Sequence, residues 1–286
     1  MTSDPTSPES SLLPPFLPPP LDRVRIVLVG TQHPGNIGSA ARAMKTMGLS
    51  QLVLVAPERF PHPEAVALAA GASDLLDGAV RFETLAEAVA DCRLVLGCTA
   101  RSRRIALEEL SPRIGAARAL ATAGGGADVA VVFGRERTGL ENDELQLCHA
   151  AVHIPANPDY SSLNLAAAVQ VLAYELRVGS LQEPSEAVGA SISGRQQDER
   201  PEIRSEPPAT HGELEGFFSQ LADTLDAIDF HKGRTPAAAI RKFRRLFLRA
   251  GLDAREVRLL RGMLADAQRM ADIARGRLPA PLKPAD

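Results

Sequence analysis

Three features are scarce in this 286-residue chain, and each scarcity removes a class of protein. Its cysteines number three, Cys92, Cys98 and Cys148, at no paired or metal-like spacing. A disulfide framework is therefore not expected; an odd, sparse set fits a reducing cytoplasm with the thiols as small buried hydrophobes. No apolar run approaches the ~20 residues that a bilayer-spanning helix needs, so no membrane association is expected. The N-terminus lacks a basic start followed by an apolar stretch, which argues against a secretory signal and for a cytoplasmic location. Spacing typical of metal ligands is lacking too. His149 and His153 stand four apart, but the second falls in an apparent strand, so a helical metal pair is not expected and the chain is read as metal-free. His33, near Asn36, reads as a solvent-facing loop histidine, with contact to a bound polyanion as the alternative.

Net charge is also small, −3 at neutral pH, with 45% hydrophobic and 23% charged residues, ordinary for a globular protein. That total hides an asymmetry. Residues 181–230 carry 11 acidic and 3 basic side chains, whereas residues 231–277 carry 13 basic and 4 acidic. A polyanionic partner meets the local field and not the average.

Pattern divides the chain. Residues 1–22 are rich in Pro and Ser and are expected to be disordered. From 23 to 178, β-branched runs alternate with helical stretches. Strands are expected at Val24–Val29, Leu52–Val55, Arg93–Gly97, Val129–Phe133 and Ala151–Ile154. Helices are expected near 39–47, 63–70, 85–90 and 163–177. Fully apolar strands alternating with helices indicate the α/β class, with a parallel sheet covered on both faces. Residues 179–210 lose the rhythm and read as a flexible linker, and 279–286 as a disordered tail. Between them, 211–278 shows three amphipathic stretches and reads as a small helical domain. The second stretch starts at Thr235-Pro236, and the third after Gly251 with Asp253 as its cap.

Three blocks at strand ends carry the chemistry. The first is Asn36-Ile37-Gly38-Ser39-Ala40-Ala41-Arg42. The second is Phe133-Gly134-Arg135-Glu136-Arg137-Thr138-Gly139-Leu140, and the third runs from Ile154-Pro155 to Ser161-Ser162-Leu163-Asn164-Leu165. Strand ends are where open α/β sheets build binding crevices. Neither standard nucleotide loop fits. Gly30 and Gly35 have Walker A spacing, but Asn36-Ile37 stand where Lys and Ser/Thr are needed. Gly30, Gly35 and Gly38 do not make G-x-G-x-x-G.

The order and content of the blocks resemble the SPOUT class of RNA methyltransferases, in its SpoU branch. The resemblance implies an α/β-knot fold, a parallel sheet with a C-terminal trefoil knot spanning about 129–177, with the small helical domain appended. It also implies S-adenosylmethionine as cofactor, a ribose 2′-hydroxyl as methyl acceptor, and a homodimer. Catalytic roles are implied for Arg42, Asn36, Glu136, Ser162 and Asn164. Arg42, expected in the first turn of a helix starting near Gly38, would bind phosphate and steady oxyanion charge. A guanidinium hardly deprotonates in proteins and makes a poor base.

Cofactor contacts are implied for Gly134, Ile154, Ser161, Ser162 and Leu163, with Cys98, Thr99 and Ala100 as a further wall. Gly134 and Gly139 permit close backbone approach, and Ile154, Leu163 and Leu165 offer apolar enclosure. Further stretches, 42–49, 67–74, 99–103 and 157–165, are similar to members that methylate cytidine or uridine at position 32 of the tRNA anticodon loop. Another tRNA position, ribosomal RNA, or a non-catalytic RNA-binding role are the alternatives.

On a helical wheel, Ala239, Ile240, Phe243, Leu246, Phe247 and Ala250 share one face of the second tail helix. Arg241, Lys242, Arg244, Arg245 and Arg249 cover the other. A face so uniformly basic points to tRNA phosphates, with contacts that give affinity and not sequence choice.

Overall fold

β-branched and leucine-rich runs form the sheet, and their pleat divides the core. The computed structural model describes residues 20–100, 107–182, 206–232 and 235–277. The Pro-rich extension up to residue 19, residues 101–106, the body of the expected linker (183–205), residues 233–234 and the tail after 277 lie outside them. Seven parallel strands run in chain order as β1 (Val24–Val29), β2 (Gln51–Val55), β3 (Val80–Phe82), β4 (Leu94–Cys98), β5 (Glu108–Leu110), β6 (Val129–Phe133) and β7 (Ala150–Val152). Their spatial order is β3-β2-β1-β6-β4-β7-β5, all neighbours parallel.

Alternate residues face opposite cores, as a pleated strand requires. In β1, Ile26 and Leu28 join one buried cluster with Ile37, Met44, Ala119, Val169 and Leu172. Val27 and Val29 join the other, with Leu85, Val89, Leu140 and Leu145. Both faces are thus covered, and the fold is α/β as the apolar strands indicate.

The helices of this unit are α1 (Pro34–Thr46), α2 (Pro63–Ala69), α3 (Ser73–Asp77), α4 (Leu85–Ala88), α5 (Pro112–Gly124), α6 (Asn142–Gln146) and α7 (Leu165–Leu181). Helix α1 starts five residues before the expected position, with Pro34 at its first position. Proline is favoured there because its missing N–H would be unpaired anyway. Gly38 has a packing function: an added Cβ would lie 2.0 Å from the Ala65 carbonyl oxygen, so glycine lets α1 and α2 touch backbone to backbone. Strands β6 and β7 each enter the sheet between strands that precede them in the chain. As a result the loops after β1, β4, β6 and β7 sit side by side.

Helices α8 (His211–Ala227), α9 (Pro236–Ala250) and α10 (Ala254–Ala274) enclose a separate apolar core around Phe217, Phe218, Leu221 and Leu264. Thr210 opens α8 and Asp253 opens α10, each through a reciprocal cap with a glutamate three residues on. The first turn of α8 docks on the sheet unit. The backbone N–H groups of His211 and Gly212 donate to the carbonyls of Cys92 and Ala90, both at 2.8 Å. Those are donors that a helix leaves unpaired. The His211 ring lies in the same joint, its Nε2 3.1 Å from the Leu147 carbonyl and its centroid 6.3 Å from that of His149. Among the described residues no helix is long and apolar enough to cross a membrane.

Candidate active site

Strand register brings the polar blocks together. Leu28 pairs with Phe133, and Phe133 with Cys98, which in turn pairs with Val152. The loops that leave these residues share one edge of the sheet. Gly30 (φ +57°) lies so close to the next loop that an added Cβ would be 2.7 Å from Arg135 Nε. Only glycine fits both the conformation and the space.

The loop after β6 is a tight hairpin. Arg135 N–H donates to the Gly139 carbonyl (3.3 Å), and Gly139 N–H donates back at 2.8 Å. Gly139 has φ +68°. Gly134 faces it so closely that a Cβ would fall 2.1 Å from the Gly139 carbonyl carbon. The Arg135 guanidinium is held by Glu144 at 2.9 Å and by Glu141 at 3.6 Å.

Glu136 points the other way. Its Oε1 accepts from the Asn36 side-chain amide (2.8 Å) and from His33 N–H (3.1 Å), and its Oε2 from Gln32 N–H (3.0 Å). Asn36 passes the connection on, because its Oδ1 accepts from Asn164 Nδ2 at 3.0 Å. Asn164 caps α7 by accepting from Ala166 N–H at 2.9 Å. One chain of hydrogen bonds thus joins the start of α1, the β6 hairpin and the start of α7. Burial pushes the Glu136 carboxyl up, but the bonds from Asn36, Gln32, His33 and its own backbone outweigh it and hold the group below the usual carboxylate range.

A cleft opens beside this network. Cys98, Thr99 and Ala100 form one wall, residues 134–139 a second, and Ile154 with Ser161, Ser162 and Leu163 a third, above Leu165 and Ala168. All eight residues expected at the cofactor line it. Glu136 belongs to both cleft and network, and Ser162 lines the cleft two residues before Asn164. Burial pushes the Cys98 thiol up to about 12, so it lines the cleft as a neutral group.

Arg42 departs from the expected position. It is the ninth residue of α1, so it stands about 9 Å along the axis from Asn36 and away from the unpaired N–H groups of the first turn. The early start at Pro34 is the cause. Arg42 is exposed and has no hydrogen-bond or ion-pair partner among the described residues. Sequence reasoning missed Gln32 and His33, whose backbone donors hold Glu136. It also missed Glu141 and Glu144, which lock the hairpin: Glu144 accepts from Glu141 N–H at 2.6 Å, but glutamate is not among the residue types that mark a helix start.

In α9 the basic face divides. Arg241, Lys242 and Arg245 are exposed and line a groove closed by Leu107 and Gln146 of the sheet unit. Arg249 is exposed at the helix end. Arg244 lines the same groove but is already committed inside the protein: it pairs with Glu215 through both guanidinium nitrogens, with Nη2 at 2.7 Å, and lies 4.4 Å over the Phe218 ring. The packed stripe is Ile240, Phe243, Phe247 and Leu248, while Leu246 is 48% exposed. Packing follows Leu248, which turns Arg244 inward and Leu246 outward. Among the described residues no group of three or more His, Cys, Asp or Glu could hold a metal.

Residues 23–174, which hold every part of this site, match the model of the SpoU rRNA Methylase family. The chain belongs to the SpoU methylase family. Residues 212–276 match a second model, the C-terminal domain of the tRNA methyltransferase TrmJ, which places this SpoU methylase among the TrmJ-type members. It is 47% identical over 251 residues to the tRNA (cytidine/uridine/adenosine-2′-O-)-methyltransferase TrmJ of Pseudomonas aeruginosa, covering 88% of this chain and 96% of the relative. It is 47% identical over 252 residues to the tRNA (cytidine/uridine-2′-O-)-methyltransferase TrmJ of Pectobacterium atrosepticum, covering 88% and 99%. Among solved structures, TrmJ from Z. mobilis ZM4 superposes with a TM-score of 0.69 at 36% identity, covering 85% of this SpoU methylase and 97% of that chain.

Proposed function

We propose that the chain is a tRNA 2′-O-methyltransferase that uses S-adenosylmethionine and acts on the ribose of cytidine or uridine at position 32 of the anticodon loop. The observation that carries this is the hydrogen-bonded chain Glu136–Asn36–Asn164 at the mouth of the cleft. It joins three distant segments that have no other reason to share polar side chains at a strand edge.

The cleft suits the cofactor chemically. Ile154, Leu163, Leu165 and Ala168 offer an apolar slot for a purine, with polar backbone from 98–100 and 161–163 along its rim. The close approach of Gly134 to Gly139 keeps the hairpin wall thin. Bound there, S-adenosylmethionine supplies an electrophilic methyl group.

The remaining chemistry belongs to the chain's own residues. Glu136, already ionised and held by three donors, is a positioning residue: it fixes the Asn36 amide, which fixes Asn164. Ser162, exposed at the rim, is available to the ribose. Arg42 has no hydrogen-bond or ion-pair partner among the described residues, so its guanidinium can take the phosphate beside the target ribose and stabilise charge on the attacking oxygen. A guanidinium keeps its protons in proteins, so the hydroxyl proton leaves to a phosphate oxygen or to solvent. The groove beneath Arg241, Lys242 and Arg245 extends the phosphate contacts. A homodimer, a trefoil thread through 129–177 and separate folding of the helical unit are parts of this same proposal.

One observation favours a broader reading of the base. The relative from Pseudomonas aeruginosa is named for adenosine as well as cytidine and uridine, so adenosine is a candidate acceptor here. Transfer of labelled methyl from S-adenosylmethionine to total tRNA, followed by nucleoside mapping, tests both. Label in 2′-O-methyl pyrimidine at position 32, lost in Arg42→Ala, is the expected result. Label confined to another position, or to ribosomal RNA, refutes the position-32 assignment.

A further inference from the structure

Among the described residues three charged side chains line the cleft, Arg135, Glu136 and Arg137, and two of them are already committed inside the protein. Arg135 is held by Glu144 and Glu141. Glu136 is held by Asn36 and the backbone of Gln32 and His33. The third, Arg137, is exposed and has no hydrogen-bond or ion-pair partner among the described residues, yet it lines the same cleft. It also sits at the tip of a hairpin closed by the paired backbone bonds between Arg135 and Gly139, so its Cα is fixed relative to the cleft wall while its side chain is uncommitted.

S-adenosylmethionine carries one anionic group, the carboxylate of its amino-acid tail, next to an ammonium and a short aliphatic chain from the cationic sulfonium. A cleft that admits this ligand must receive the carboxylate without placing a second positive charge against the sulfonium. The side chains of Ile154, Leu163, Leu165 and Ala168 offer it nothing, those of Thr99, Thr138, Ser161 and Ser162 carry no countercharge, and Glu136 repels it. We infer that Arg137 is the carboxylate-recognition residue of the cofactor cleft, bonding the amino-acid tail from the hairpin tip with its planar fork. The inference rests on the cofactor reading above. It adds a selectivity: the protein distinguishes S-adenosylmethionine from the same molecule without its carboxylate.

Titration calorimetry with S-adenosylmethionine and with decarboxylated S-adenosylmethionine, on wild type, Arg137→Ala and Arg137→Lys, tests it without any RNA. A charge-assisted bidentate bond corresponds to roughly tenfold or more in affinity. Wild type is expected to prefer the carboxylated ligand by about that factor. Arg137→Ala is expected to lose the preference by weakening S-adenosylmethionine alone, and Arg137→Lys to keep part of it. Equal affinity of wild type for both ligands overturns the inference, independently of any variant. So does an Arg137→Ala protein that binds S-adenosylmethionine as wild type does, or one that weakens for both ligands alike. Wild type that binds neither ligand overturns the cofactor reading itself, and this inference with it.

Discussion

The Asn36 side-chain amide donates to Glu136 Oε1 across 2.8 Å, between residues a hundred positions apart. Because the same Asn36 accepts from Asn164 at 3.0 Å, removing it unties both neighbours at once. Asn36→Ala leaves Glu136 one donor short and strips Asn164 of its acceptor. The expected cost in stability is about 1 kcal/mol, since the site is partly open to water. The expected loss in single-turnover methyl transfer is larger, roughly tenfold to a hundredfold, because geometry at the acceptor is disturbed. Denaturant unfolding beside single-turnover rates checks this, and equal proportional loss in both would mean Asn36 is only structural.

Arg42 should behave in the opposite way. Exposed and without a partner among the described residues, it can be replaced by Ala with stability changed by less than about 0.5 kcal/mol. Methyl transfer should nonetheless fall about a hundredfold, the scale of losing one group that stabilises a charged transition state. Arg42→Lys keeps a charge but not the fork, and should recover only part. Full turnover by the lysine variant would eliminate two-pronged positioning as its role.

How much of this was legible in the sequence depends on distance along the chain. Strand β6 and the capped start of α10 follow from local signals, apolar runs and Asp-x-x-Glu, and the structure has them at those positions. Helix α5 (Pro112–Gly124) was not foreseen. It is built from Ala and Gly, with so little contrast between faces that no period stands out, although Ser111-Pro112 is a sound start signal. The start of α1 was misplaced because Pro34-Gly35 looks like a turn, whereas Pro fits a first helical position equally well. The Glu136–Asn36–Asn164 chain could not come from spacing at all, since the register of β1 against β6 creates it. Arg244 shows the limit of a helical wheel. The wheel finds a basic side but not which edge of it meets Glu215.

Gly134 offers a test of the hairpin wall. In Gly134→Ala the new methyl would meet backbone at 2.1 Å, and backbone cannot swing aside as a side chain can. The hairpin must open, at an expected cost near 3 kcal/mol. Affinity for S-adenosylmethionine should fall at least tenfold in calorimetry even below the melting temperature. Unchanged affinity would place the cofactor away from residues 134–139.

Acid should loosen the joint between the sheet unit and α8. Burial holds His149 down to about 3, with the neighbouring charges of His211 and Arg118 adding to it. His211 is lowered as well, by burial first and by Arg244, against the raising effect of Glu215. Both are neutral in the folded state. A histidine with a depressed folded pKa contributes stability that is complete above its unfolded value of about 6.5 and shrinks as pH falls below it. His149, held near 3, contributes a slope of about 1.4 kcal/mol per pH unit below that value, and His211 adds to the decline in the same direction. Unfolding free energies between pH 7.5 and 5 should therefore decline, and His149→Asn should flatten the decline. A decline of the same slope in that variant would assign it to other groups.

The groove under α9 is lined by two kinds of basic residue, exposed ones and one already paired within the protein. Arg241, Lys242 and Arg245 are exposed along it, so their triple replacement by Ala should leave the fold intact and weaken tRNA binding at every sequence tested. Its signature is the salt dependence. With three phosphate contacts gone, the slope of log K against log salt should drop by about two, at roughly 0.7 per contact for single-stranded RNA. Arg244 should give the converse. It is held by Glu215 and lies over Phe218, so Arg244→Ala removes a half-buried ion pair and a ring contact. It should cost about 1–3 kcal/mol of stability while the salt slope stays near wild type. Filter binding across a salt series, beside thermal unfolding, reads both quantities for both proteins. If Arg244→Ala shifts the slope and the triple variant does not, the basic groove is not where tRNA lies.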